Sequence, residues 1–107
     1  MAEYMLAQLR LRYGFATLER YNATMPLVRD LFESQGIRLR HGVVTRVGPL
    51  FEAWNLWEIE DQGHVARAFA ALASSPSPEF ETVAQALDEI VVSEDVRYLE
   101  SLPFSPV

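Results

Sequence analysis

Residues 50–60, LFEAWNLWEIE, carry large apolar groups on both alternating sets of positions. One set is Phe51, Ala53, Asn55, Trp57 and Ile59, and the other includes Trp54 and Leu56. A strand this apolar on both sides is normally buried on both. The fold must therefore seat these residues inside a sheet and cover each face of it. Both tryptophans of the chain fall here at an odd spacing, so they point to opposite sides of the strand. Core packing, a subunit interface and a pocket wall compete to explain them.

The rest of the chain supplies the neighbours. EYMLAQLRLRYG (3–14) alternates as a strand and ends at Gly14. Residues 15–36 follow a helical pattern through Phe15, Leu18, Tyr21, Met25, Val28 and Phe32. Pro26 lies inside that pattern and predicts a kink or break near Thr24–Met25. IRLRHGVVTRV (37–47) reads as a second strand, with Gly42 marking a bulge. Gly48-Pro49 then turns the chain into the third strand, 50–60. Asp61 is placed to cap a helix over 63–74. Ser77 and Pro78 open another helix, since proline at the first helical position loses nothing by lacking an N–H. EIVVSEDVRYLESL (89–102) is the last strand, and the prolines of PFSPV end it.

The order β-α-β-β-α-α-β is an α+β, ferredoxin-like βαββαβ plan, with the last two helices filling one helical slot. Its four-stranded antiparallel sheet carries helices on one face. Residues 1–107 are expected to form one domain. A second subunit is the simplest cover for the other face, so a homodimer is expected.

Charge and composition narrow the function classes. The formal net charge is −6, which argues against a nucleic-acid partner. All nine basic residues are arginine, so lysine Schiff-base chemistry is excluded. Absent cysteine excludes thiol nucleophiles and zinc–thiolate sites. No apolar run approaches a membrane span, and the opening MAEYMLAQLRLRYG lacks the basic leader of a signal peptide. A cytoplasmic protein is the expectation. The two histidines form no metal-site pattern, and no phosphate-loop, dinucleotide-binding or nucleophile-elbow motif occurs.

RVGPLFEAWNLWEIED (46–61) resembles the turn-and-strand signature of the NIPSNAP-like proteins, in which Gly-Pro-Leu leads into a His-Leu-Trp strand. LESLPFSP (99–106) resembles that family's Pro-Leu-Pro-Phe-Ser-Pro ending. Gly14, Pro26 and the Ser-Pro-Glu-aromatic stretch at 77–80 also fit, so the similarity spans nearly the whole chain. The resemblance implies a dimeric α+β barrel whose two sheets enclose a cavity. It also implies departures. Asn55 stands where the family has its strand histidine, Met5-Leu6-Ala7 stands for Glu-Leu-Arg, and Ile59 replaces an aromatic. A greasier cavity follows, suited to an apolar or aromatic ligand. Fold alone does not choose between catalysis and binding.

The resemblance points the side of Asn55 and Trp57 at the barrel cavity, and Trp54 at the helices or the dimer edge. His41, on the parity of Val43 and Thr45, is the first candidate for acid–base work. Asn55 would bind a carbonyl and Trp57 would stack on substrate. Thr45, Met5 and Ala7 join Trp57 as substrate-binding candidates, with Arg97 and Tyr98, one of which must face inward. His64, in a first helical turn beside Asp61, reads as a surface residue. Arg38, Arg40 and Arg46 can pair with Glu52, Glu58 and Glu60 across a hairpin. The leading expectation is a cofactor-independent cyclase, isomerase or oxygenase-like enzyme of bacterial secondary metabolism, with no metal. The alternative is a non-catalytic dimeric module that binds a ligand or a partner protein.

Overall fold

The computed structural model describes residues 2–106. Its elements run β1 (Glu3–Leu11), α1 (Phe15–Glu33), β2 (Arg38–Val44), β3 (Glu52–Ile59), α2 (His64–Ser74), α3 (Pro78–Ile90) and β4 (Val91–Glu100). The four strands form one antiparallel sheet in the order β2-β3-β1-β4, the ferredoxin-like arrangement. The two apolar strands, β1 and β3, take the centre. The edges go to β2 and β4, whose residues are mostly exposed.

Register sorts the side chains into rows across the sheet. On the face toward the helices, Leu39, Trp57, Met5 and Tyr98 form one row. Gly42, Asn55, Ala7 and Val96 form the next, and Val44, Ala53, Leu9 and Glu94 the third. Helix α1 covers this face with Tyr21, Thr24, Val28 and Phe32. Helices α2 and α3 add Val65, Ala68, Val83 and Ile90. Phe32 ties the layers together, meeting Trp57 edge-on at 4.9 Å and Phe69 at 5.5 Å between ring centres.

Four local expectations are corrected. The register irregularity in β2 lies between Leu39 and His41, so the extra residue is Arg40 and not Gly42. One inserted residue exchanges the two faces for everything after it. Helix α1 runs unbroken through Pro26. Pro26 and Asn22, whose carbonyl loses its usual partner there, are both exposed, so the missing N–H falls on the solvent side of the helix and not in the core. The first two residues of the expected last strand, Glu89 and Ile90, close α3 instead. Asp61 is not the cap of α2: Gly63 holds that position, and the Asp61 carboxylate accepts its N–H at 2.8 Å. Asp61 also grips the Arg67 guanidinium with both oxygens, at 3.0 and 3.1 Å.

The cap of α3 is built as its sequence predicts. Ser77 Oγ accepts the Phe80 N–H at 3.1 Å, with Pro78 following and Glu79 and Glu81 in the positive first turn. The Gly48-Pro49 turn ends at Phe51, which adopts φ 61°, a strained value for an aromatic residue. It is held by its carbonyl, which accepts the Leu11 N–H at 2.7 Å, and by a tilted contact with the Tyr13 ring.

Candidate functional site

The sheet and its own helices do not close on each other completely. A cavity of about 570 Å³ remains between them, well within the range of small-molecule sites. Its floor is short because Ala7 lies at the middle of β1 between Asn55 and Val96. Leucine or valine there would fill the space. The walls come from Met25, Val28, Leu31 and Phe32 of α1, Phe69 and Leu72 of α2, and Phe80, Val83 and Leu87 of α3. Trp57 and Tyr98 rise from the sheet at one end.

Polar groups are few. Asn55 is buried and donates its Nδ2 to the Tyr21 hydroxyl at 2.7 Å. Its other side approaches Gly42 so closely that a Cβ there would lie 2.9 Å from Asn55 Oδ1. Glycine at 42 is thus a matter of room for the amide. Burial pushes the Tyr21 phenol up; the hydrogen bond from Asn55 opposes this, and the charge of Glu94 adds to it. Glu94 lines the cavity from the edge strand; the residue as a whole is exposed, and partial desolvation on its cavity side raises its carboxyl above the usual glutamate range. Asp88, in the last turn of α3, is the other carboxylate of the lining.

The candidates from sequence divide between the two faces. Met5, Ala7, Asn55, Trp57 and Tyr98 share this cavity. His41, Thr45 and Arg97 do not line it. The extra residue at Arg40 turns His41 toward the open face, opposite Leu56, where it is exposed. His41 and Asn55 therefore cannot work on one ligand from opposite sides of the sheet. Thr45 lies just beyond β2, with its N–H and hydroxyl both on the Glu52 carbonyl. Arg97 reaches Gln8 on the open face at 3.4 Å.

The expected orientation of the central strand is likewise reversed. Asn55 and Trp57 face the chain's own helices, and Trp54 faces away from them, 40% exposed. With both parities apolar, alternation alone could not choose. The open face also carries the Arg40–Glu58 pair at 2.7 Å and the Trp54 indole N–H on Glu52 at 2.8 Å.

His64 is a further correction, being 5% exposed. Its Nδ1 accepts the Glu60 N–H at 2.9 Å, which leaves Nε2–H to donate to the Gln35 carbonyl at 2.7 Å. It pins the start of α2 to the turn after α1. Glu94 and Asp88 are the lining carboxylates that sequence reasoning missed. The signal for Glu94 was the alternation itself: once Tyr98 faces inward, residues 96 and 94 follow. Among the described residues, no cluster of three or more histidine and carboxylate side chains is placed to hold a metal ion. Nor is any helix long and apolar enough to cross a membrane.

No family model matches the chain, and no curated protein does. Solved structures match along its whole length. A NIPSNAP family protein from Agrobacterium tumefaciens is 20% identical with a TM-score of 0.81, over 100% of this chain and 99% of that one. The chain has the fold of the NIPSNAP proteins. A NIPSNAP-like domain protein from Burkholderia xenovorans, uncharacterized, is 24% identical at a TM-score of 0.76, over 99% and 90% of the two chains. A second Agrobacterium tumefaciens NIPSNAP family protein, described as of unknown function, is 17% identical at 0.81, over 98% and 92%. The NIPSNAP-like fold agrees with the sequence resemblance, and it leaves the chemistry to be read from the cavity.

Proposed function

We propose that this chain is a member of the NIPSNAP-like proteins and acts as a cofactor-independent enzyme on a small, apolar or aromatic metabolite. The single observation behind this reading is the cavity: an apolar chamber of about 570 Å³ with a carboxyl, Glu94, at its rim, exposed on one side and partly desolvated on the other. A carboxyl raised above its ordinary range accepts and returns a proton more readily near neutral pH. Glu94 takes the proton-transfer role that the sequence suggested for His41. Asn55, oriented by Tyr21 and Gly42, sets the ligand's polar atom, and Trp57 bounds its apolar part.

The open sheet face supports a homodimer. Val43, Trp54 and Leu99 expose 46%, 40% and 41% of their surface there, beside half-buried Leu6 and Leu56. A second copy is the simplest cover, and the cavity on the opposite face is left free by it.

A second reading, a non-catalytic ligand-binding module, is favoured by the scarcity of polar groups in the lining. Native mass spectrometry of freshly purified protein tests the common ground, reporting subunit number and retained small molecules together. Conversion of a retained compound by the wild type, lost in Glu94→Gln while binding persists, supports the enzyme. Equal conversion by the variant removes Glu94 from the mechanism, and binding without conversion selects the second reading.

A further inference from the structure

The cavity is electrically one-sided along its length. Glu94 stands two rows from the Trp57–Tyr98 row, roughly 13 Å along the strand. Asp88 and Glu94 flank the junction where α3 passes directly into β4 at Ile90–Val91, so both carboxylates occupy the same end. The C-terminus of α3 lies there too, adding the negative end of a helix dipole. No arginine or histidine lines the cavity among the described residues. The nearby cations are engaged elsewhere: Arg20 pairs with Glu89, and Arg12 donates to the Glu89 carbonyl. The opposite end is aromatic.

We propose that this cavity takes an elongated apolar amine, with its ammonium at the Asp88–Glu94 end and its hydrocarbon or aromatic body along Phe69, Trp57 and Tyr98. This rests on the reading that the cavity binds a small molecule, and names the class. Carboxylates and phosphates are repelled by two like charges with no basic partner to offset them. A neutral alcohol fills the apolar part but leaves the carboxylate end to water. Asp88 and Glu94 are both exposed at the rim, so an ammonium there forms charge-assisted hydrogen bonds while its hydrocarbon body is buried in the apolar lining.

The test is a matched series of phenylbutylamine, phenylbutanol and phenylbutyrate, titrated calorimetrically at neutral pH and low salt. The amine is expected to bind roughly tenfold tighter than the alcohol, with the carboxylate weakest. The Asp88→Asn, Glu94→Gln double variant should erase the amine's advantage, so that amine and alcohol bind alike. Equal affinities for amine and alcohol in the wild type, a preferred carboxylate, or an amine preference surviving in the double variant would each overturn the proposal while leaving a ligand cavity standing. Failure of all three compounds to bind would overturn the cavity reading together with it.

Discussion

Gly42 and Asn55 face each other across β2 and β3, and a Cβ on Gly42 would approach Asn55 Oδ1 to 2.9 Å. The amide is fixed from the far side by Tyr21 at 2.7 Å, so it has little freedom to yield. Gly42→Ala should destabilise the fold by about 1–2 kcal/mol, the ordinary penalty of overpacking. In an Asn55→Ala background the obstruction is gone. There the same change should be neutral or slightly stabilising, because alanine narrows the unfolded ensemble. Urea denaturation of the four-member cycle reads the coupling directly, and additive effects would show that the two residues do not compete for space.

His64→Ala should be costly, far outside the range of surface substitutions. It removes two hydrogen bonds, strands the Glu60 N–H and opens a hole under the start of α2. About 2–3 kcal/mol is expected. A loss within experimental error would return His64 to the surface role its sequence position suggests.

Stability should respond to pH oppositely at two glutamates. Glu94 is raised by desolvation, so the folded state binds its proton more tightly than the unfolded state. Its contribution is therefore present at acid pH and is lost as pH rises through the raised folded value. Glu94→Gln should raise Tm at neutral pH and give no gain below the usual glutamate range. Glu89 is held low, first by its hydrogen bond from Arg20 and then by that cation's charge. Its contribution is present above the unfolded value and lost as pH falls through the depressed one. Glu89→Gln should thus lower Tm at neutral pH by a small amount, as befits an exposed pair, and converge on wild type in acid. Parallel pH profiles for the two variants would contradict this assignment.

Trp57 and Trp54 should differ in what their loss does. Trp57 is 2% exposed and packed edge-on against Phe32. Trp57→Leu should destabilise by about 2–4 kcal/mol and weaken ligands of every charge. Trp54→Phe should leave ligand affinity intact, since that ring lies on the other face. Its effect belongs to subunit association, read by analytical ultracentrifugation.

The element order, the α3 cap and the central position of β3 were legible because each rests on local chemistry: alternation, proline and serine placement, apolar load. The facing of β3 was not, because Trp54 and Trp57 are equally apolar and only the three-dimensional position of the helices separates them. The site suffered most from a single residue. Arg40 is an extra residue in the β2–β3 register, and nothing in IRLRHGVVTRV marks it; Gly42, the obvious candidate for a bulge, answers to Asn55 instead. That one insertion moved His41 out of the cavity. Glu94 went unnoticed because its place in the lining depends on which parity of β4 faces inward, and Arg97 and Tyr98 left that choice open.

The central claim is that ligand enters between the sheet and its own helices, against Trp57. The measurement that tests it most directly is tryptophan fluorescence during titration with phenylbutanol in two single-tryptophan variants. Trp54→Phe, which retains Trp57, should show a saturable change in emission. Trp57→Phe, which retains Trp54, should stay silent at the same concentrations. A saturable response from Trp54 with Trp57 silent would move the site to the open face of the sheet and contradict the account.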